Sequence, residues 1–525
     1  MPDAPQRSGT MQWIGFVLGP LLAVAALYLL PQQFHAVAAE GPDRLLDFSW
    51  PGRATLAVML WMGIWWLTEA VHISVTALLP IVLFPLLGAT TAKEACFPYS
   101  DPLVFLYFGG FIIALSMQRW GLGRRIALLT LGVVGTSATG MVAGFMLVTA
   151  VLSAFVSNTA TTAMMLPIAL SVIGLLRQSD RDETRDPQSP DLQAGRDRVG
   201  PFSVCLLLSI AYSASVGGVM TIIGTPTNAF LVGFLRDKIA PEYRQDFSFF
   251  SWLPIGVSFA VVMLPIIYLV LTRFAFPIKG ITMAGGAQLV KKELDKLGPV
   301  KRGEWNTLVV FCVTVLLWFV RPLLTRLEIP FGDIVYRPLA NLSDPVIAML
   351  GASLLFVIPV EVKNRVFTMD WEHASKMPWG ILFLFGGGLS LAAAMQANGV
   401  AEFIGSQAGV FAVLPAVVIV LIVSIAIVFL TELTSNAATT ASLVPVLAAL
   451  APGLGVHPYL LIFPATVAAS CAFMLPVATP PNAIVFGSGE ITIPQMARTG
   501  IYLNLIAVVL VTALAFYVVK PWLGV

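Results

Sequence analysis

Apolar stretches long enough to cross a bilayer recur along this chain, separated by short polar punctuation. A helix needs about 20 apolar residues to span the hydrocarbon core. By that measure the pattern predicts helices at roughly 11–30, 54–70, 72–88, 102–118, 204–235, 252–274, 305–323, 343–360, 379–396, 457–489 and 499–519. Two further apolar regions, 138–176 and 411–450, are interrupted near their middles by small polar residues. Such an interruption predicts two short helical arms folded back at a tip. Residues 178–200 are rich in Arg, Asp and Pro, and 276–304 are rich in Lys, so both read as polar linkers.

The chain also repeats itself. Residues 108–118 (FGGFIIALSMQ) match 386–396 (GGGLSLAAAMQ), and 157–167 (SNTATTAMMLP) match 435–445 (SNAATTASLVP), both at an offset of 278 residues. A third pair, Gly224-Thr225-Pro226-Thr227-Asn228 and Ala478-Thr479-Pro480-Pro481-Asn482, is offset by 254. The shortfall is close to the size of the polar loop 178–200, which the second half lacks. The division that follows is an N-terminal helix and loop (1–53), a first repeat (54–275), a cytoplasmic linker (276–304) and a second repeat (305–525). The first repeat holds a hairpin at 138–176 and a broken helix at 204–235. The second holds a hairpin at 411–450 and a broken helix at 457–489. Five spans plus one hairpin per half insert the second copy upside down, and inverted repeats of this kind are typical of secondary transporters whose site lies where the repeats meet.

Composition agrees with an all-α polytopic membrane protein in the lipid bilayer. Of 525 residues 58% are hydrophobic and 11% charged, whereas soluble domains carry about a quarter charged residues. The net charge of +2 is too small to suggest a nucleic-acid partner. Cys96, Cys205, Cys312 and Cys471 stand apart, as do His35, His72, His373 and His457, which leaves no disulfide framework or zinc motif. Arg7, the apolar run from Met11 and Ala36-Val37-Ala38 imitate a signal peptide, but the run exceeds the usual ~7–15 residues of such a core and reads as a first transmembrane helix. A cytoplasmic N-terminus, with the hairpins not crossing, gathers Arg124, Arg125, Arg177, Arg181, Lys291, Lys292, Lys301, Arg302, Lys363 and Arg365 on the cytoplasmic side of the cell membrane, as the positive-inside bias requires.

The repeated motifs suit a site for ions. Ser-Asn-Thr at a tip offers hydroxyls, an amide and unpaired backbone where two short helices end. Helix N-termini favour carboxylates, and proline in Thr-Pro-x-Asn breaks a helix and releases carbonyls that suit Na⁺. Small polar residues often serve only close helix packing in membranes, but two copies at matched offsets, each followed by its own Thr-Pro motif, favour function. Glu432, beside the second tip, is open to two readings: a cation ligand or an acceptor for backbone donors. Glu69 reads as a structural acid at a helix end, and Trp61, Trp65 and Trp66 as an interface or packing surface.

With these motifs in place, the chain resembles the divalent anion:sodium symporter (DASS) family. The segment 469–485 (ASCAFMLPVATPPNAIV) meets that family's C-terminal signature, and 68–88 and 293–304 are similar to family segments. The resemblance implies eleven transmembrane helices, two re-entrant hairpins, a homodimer and elevator-type movement. It implies two or more Na⁺ as coupling ions, one site using Ser153, Ser157, Asn158 and Gly224 and another using Thr431, Thr434, Asn436 and Ala478. It also implies that the anion meets Asn158, Thr159, Thr225, Asn436 and Thr479. Two positions depart from the pattern: Ala437 replaces the hydroxyl residue of the second tip, and Thr227 stands where a second proline is common. The expected activity is Na⁺-coupled symport of C4 dicarboxylates such as succinate, malate or fumarate. A sodium-independent exchanger and a sulfate carrier are the alternatives. An enzyme is disfavoured because no nucleophile–base pair is present, and a channel because closed tips in both halves suit occlusion.

Overall fold

The computed structural model describes residues 9–36, 44–133, 137–184, 199–245, 247–278, 286–331, 334–408 and 413–525. Arg7, Val37, Ala38, most of the polar loop (185–198), residues 279–285 of the linker and the first residues of the second hairpin region (411–412) lie outside them. Eight helices among the described residues are long and apolar enough to cross a membrane. Three two-stranded antiparallel ladders, Gln33–Ala36 with Arg44–Asp47, Ile329–Phe331 with Ile334–Tyr336 and Pro359–Glu361 with Val366–Phe367, close connections at helix ends.

Each interrupted region is two helices separated at its polar residues, but the second helix of the first region is not a short arm: its stretch Asn158–Arg177 is long and apolar enough to cross a membrane. The first hairpin has arms Ala138–Ser153 and Asn158–Thr184, and the second has arms Ala416–Leu430 and Asn436–Gly453. Both broken helices are broken where proline follows threonine: Val199–Val219 resumes as Pro226–Asp237, and Tyr459–Ala468 resumes as Pro480–Phe486. Proline costs nothing at the first position of a helix, whose N–H has no partner in any case. The last residue before each resumption has nearly the same backbone, φ −141° and ψ 144° at Thr225 and φ −141° and ψ 149° at Thr479. Asn228 amide nitrogen bonds Gly218 O (3.2 Å) and Thr221 O (2.8 Å), and Asn482 bonds Ala472 O (3.1 Å) and Leu475 O (3.0 Å). Each atom in the second set lies 254 residues after its match, so the duplication reaches individual hydrogen bonds. The asparagine replaces the helical partners that the break removes.

Helix Val199–Val219 is buried at every residue from Phe202 to its end. By contrast, only 22% of the apolar window of helix Arg302–Leu324 is buried. It exposes Trp305, Val309, Val313, Leu316, Phe319 and Leu323, the surface expected of a lipid-facing helix. Trp66 is fully buried and donates to Ile73 O (3.0 Å), while Trp65 stacks on Phe16 of the first helix at 5.6 Å, which makes the tryptophan cluster a packing surface.

Several elements differ from the pattern reading. The span expected at 72–88 is two short helices, Ile73–Thr76 and Leu79–Leu86, because Pro80 starts a new helix. Helix Trp50–Thr68 begins before the boundary placed at 53/54, capped by Ser49. The stretch 276–304 is not simply a polar linker. It contains helix Gly286–Leu297, which buries Val290 against helix Leu122–Val133 and pairs Glu293 with Arg124 at 2.9 Å. Its apolar residues recur at helical spacing between lysines, and charge density alone had hidden that period.

Candidate functional site

The two tips are built alike. Ser153 ends the first arm of hairpin one, and its hydroxyl lies 2.6 Å from Asn158 Oδ1 and 2.7 Å from Ala214 O. At the second tip Thr431 hydroxyl lies 2.7 Å from Asn436 Oδ1 and 2.8 Å from Ala469 O. Each cluster gathers three oxygens around a single hydroxyl proton. One proton satisfies one acceptor at a time, so a hard cation, which prefers oxygen ligands, complements either cluster. Gly218 passes so close to the Asn158 amide that a side chain there would collide with it. Close approach of helix Val199–Val219 to the first tip therefore requires a glycine.

Asn158 and Asn436 each open a helix, and Thr225 and Thr479 each immediately precede one. All four meet at one cavity of about 710 Å³. Its walls include the five residues expected for the anion (Asn158, Thr159, Thr225, Asn436 and Thr479), together with Ser157, Gly224 and Ala478 from the expected ion sites. Ser153, Thr431 and Thr434 stand behind the tips, outside the cavity wall. Ser157 hydroxyl caps its helix by accepting from Ala160 N at 3.3 Å. Thr434 is turned into its own hairpin, bonded to Leu430 O (2.9 Å) and Thr439 (2.7 Å). Its hydroxyl is thus committed to the tip's backbone.

The electrostatics of the cavity come from backbone rather than cations. Among the described residues no Lys or Arg lines it, and its wall also includes exposed Glu69 and His72 and, from the first helix, Gln12. Glu69 adopts a left-handed backbone (φ 47°) as the C-cap of helix Trp50–Thr68. Three helices of 12 residues or more, Pro226–Asp237, Asn158–Thr184 and Asn436–Gly453, point their N-termini at the cavity, and each carries about half a positive charge there.

Glu432 resolves in favour of its second reading. Its carboxylate is 3% exposed and accepts from Phe473 N (2.7 Å), Met474 N (2.9 Å), Leu475 N (3.0 Å) and Asn504 amide (2.7 Å). It holds the N–H groups that the second break leaves unpaired. The first break is held differently, by Thr221, whose hydroxyl donates to Ala154 O, and by Tyr107, whose hydroxyl contacts Ile222 O and donates to Thr225 O at 2.8 Å. Thr227, in place of the second proline, bonds Ser470 of the other broken helix at 3.1 Å. The sequence pattern had not singled out Tyr107, Thr221 or Asn504 as site residues, because a lone polar side chain in an apolar helix carries no period.

Comparison with known proteins bears on this geometry directly. A family model described as sodium:sulfate symporter transmembrane region matches residues 46–524. A protein of Staphylococcus saprophyticus named sodium-dependent dicarboxylate transporter SdcS is 38% identical over 515 residues, 98% of this chain and 92% of its own length. The SdcS of Staphylococcus aureus strain MRSA252 is 38% identical over 519 residues, 98% of this chain and 93% of its own. Two solved structures share the fold at low identity. The YdaH transporter of Alcanivorax borkumensis (TM-score 0.62, 14% identical) aligns over 98% of this chain and 99% of its own. Neisseria gonorrhoeae MtrF, described as one of a class of antimetabolite efflux pumps (TM-score 0.57, 12% identical), aligns over 96% and 94%. The chain is therefore a multi-pass membrane protein and a transporter rather than an enzyme, and it belongs to the sodium:sulfate symporter transmembrane-region family, the DASS family to which its tip and break motifs had pointed.

Proposed function

We propose that this chain is a Na⁺-coupled symporter of C4 dicarboxylates. The observation that carries the reading is a cavity with two matched tips and no cationic side chain. An anion with two carboxylates meets a helix N-terminus and an asparagine amide at each end, and its remaining charge is offset by Na⁺ held behind the tips. One Na⁺ is assigned to Ser153, Asn158 and Gly224 with Ser157 at the tip, the other to Thr431, Asn436 and Ala478. Thr434 shapes the second tip rather than binding the ion. Asn158, Thr159, Thr225, Asn436 and Thr479 hold the anion. The relatives named sodium-dependent dicarboxylate transporters support the same ion and substrate class.

The two hairpins and two broken helices carry every residue assigned to the site. We assign them to one moving body, re-entrant from opposite faces, that shuttles against the remaining helices of a homodimer in elevator fashion. With the N-terminus cytoplasmic, the cavity's approach past Gln12, Glu69 and His72 makes this the inward-open state.

The family's printed description names sulfate, which makes a sulfate carrier the second reading. A single tetrahedral anion engages one tip, whereas a dicarboxylate engages both. In reconstituted vesicles, excess unlabelled succinate should suppress sodium-driven uptake of labelled succinate at concentrations where sulfate leaves it unchanged. Suppression by sulfate at lower concentration than by succinate would reverse the assignment.

Ala437 gives a second test, since it lines the same cavity as its repeat partner Thr159. A hydrogen bond to a charged group is worth ~1.5–3 kcal/mol, about a factor of ten or more. Ala437→Thr should lower the apparent KM for succinate, and Thr159→Ala should raise it, with sodium activation changing less in both. Overpacking costs ~1–3 kcal/mol, so thermal stability is measured beside transport. A destabilised Ala437→Thr protein with weaker uptake would make 437 a packing position instead.

A further inference from the structure

The site is made of matched parts, but one matched pair differs in chemistry. Tyr107 and Phe385 occupy equivalent positions in the repeat, directly before the glycine-rich segments 108–110 and 386–388. Both are buried to 1% exposure, and their rings meet edge to face with centroids 5.0 Å apart. From helix Pro102–Trp120, Tyr107 reaches the first break, where its hydroxyl contacts the carbonyl of Ile222 and donates to that of Thr225. At the start of the same helix Asp101, 6% exposed, accepts two 2.6 Å bonds from Arg236 at the far end of arm Pro226–Asp237. The helix thus grips that arm at both ends. The matched helix, Trp379–Ala397, has neither group: Phe385 stands at the tyrosine's position and Trp379 at the aspartate's.

We infer that the Tyr107 hydroxyl is a state-selective positioning group, holding the first break in the geometry seen here and having no counterpart when the cavity opens to the opposite face. The inference rests on the elevator reading above. In a transporter made of two inverted copies, the moving body contacts the surrounding helices of the two copies unequally, and the opposite-facing state is the one in which those contacts are exchanged. The two copies then exchange roles, and the contact Tyr107 makes with the first break falls to Phe385 at the second. Without a hydroxyl, Phe385 cannot bond the carbonyls of that break. The bond exists in one state only, and a contact that differs between two states biases their populations by its full worth. Tyr107 therefore favours the state open past Glu69 and His72, and sets how often the empty carrier presents its site to the other side.

The test moves the hydroxyl between repeats and reads the population. Val477 lines the cavity and is 80% exposed, so Val477→Cys reports access to the site. The background carries Cys96→Ser and Cys312→Ser, since those two cysteines are exposed and Cys205 and Cys471 are buried. Whole cells are treated from outside with a membrane-impermeant maleimide. Tyr107→Phe should raise the labelling rate about three- to tenfold, the effect of one net hydrogen bond, and Phe385→Tyr should lower it. Inverted insertion of the protein would exchange the two signs but keep them opposite. Equal rates in both variants, or shifts in the same direction, would overturn the inference. If Phe385→Tyr fails to reach the membrane, Tyr107→Phe decides alone, because phenylalanine is what the other repeat already carries there. Sodium-driven succinate uptake by the unsubstituted protein is measured in parallel. Its absence would refute the transport reading, whereas normal uptake with unshifted labelling would refute only the role of Tyr107.

Discussion

Asn158→Ala and Asn436→Ala should each abolish sodium-driven succinate uptake while leaving a folded protein. Each asparagine serves two tasks from one position. Its Oδ1 completes the oxygen cluster with Ser153 and Ala214, or with Thr431 and Ala469, and it also lines the anion cavity. On the proposed assignment, alanine removes an ion ligand and an anion donor together. Each contact to a charge is worth ~1.5–3 kcal/mol, so losing both amounts to about a hundredfold or more in transport. The fold should survive, because Ser153 and Thr431 each keep a backbone carbonyl partner. Uptake within a few-fold of normal in either variant, at equal expression and unchanged gel-filtration profile, would remove the tips from the site.

Glu432→Ala should be the most destabilising single change at the second break. The carboxylate accepts three backbone N–H groups and the Asn504 amide, and the bonds from Phe473 and Asn504 are buried. Each buried donor left unpaired costs ~1–3 kcal/mol. Several kcal/mol are therefore at stake, and both the melting temperature and uptake should fall sharply. Glu432→Gln keeps one acceptor oxygen and turns an amide toward backbone donors, so it should be intermediate in stability. A cation-ligand role predicts another outcome: Glu432→Gln would keep its melting temperature and lose only sodium affinity. Melting curves and sodium activation of the two variants, taken together, separate these roles.

Much of this was legible in the chain because a membrane makes polar residues conspicuous. Ser157-Asn158-Thr159 and Ser435-Asn436-Ala437 interrupt apolar runs, and irregular backbone at membrane depth is tolerated only inside protein or along a water-filled cavity. The interruptions at both Ser-Asn motifs, the two broken helices and the one cavity that the motifs line followed from that rule and from the repeat. Local acceptors were harder to read. Thr434 sits in the tip pattern but bonds Leu430 and Thr439, because a threonine in a helical turn finds its own backbone four residues back. Tyr107 and Asn504 gave no signal, since each acts on a partner distant in sequence, the carbonyls of Ile222 and Thr225 for the tyrosine and the Glu432 carboxylate for the asparagine. The short helices Leu122–Val133, Gly286–Leu297 and Val400–Ala408 were also missed; they are too short or too charged to register as spans.

A sodium gradient should drive a dicarboxylate through the cavity between the two tips. This coupling is tested most directly by purified protein in proteoliposomes, loaded with sodium-free buffer and given labelled succinate outside with NaCl or with choline chloride. Rapid accumulation with sodium to above the external concentration is expected, with uptake near that of empty liposomes in choline. Equal uptake in both buffers, rising when unlabelled succinate is loaded inside, would contradict it and identify a sodium-independent exchanger.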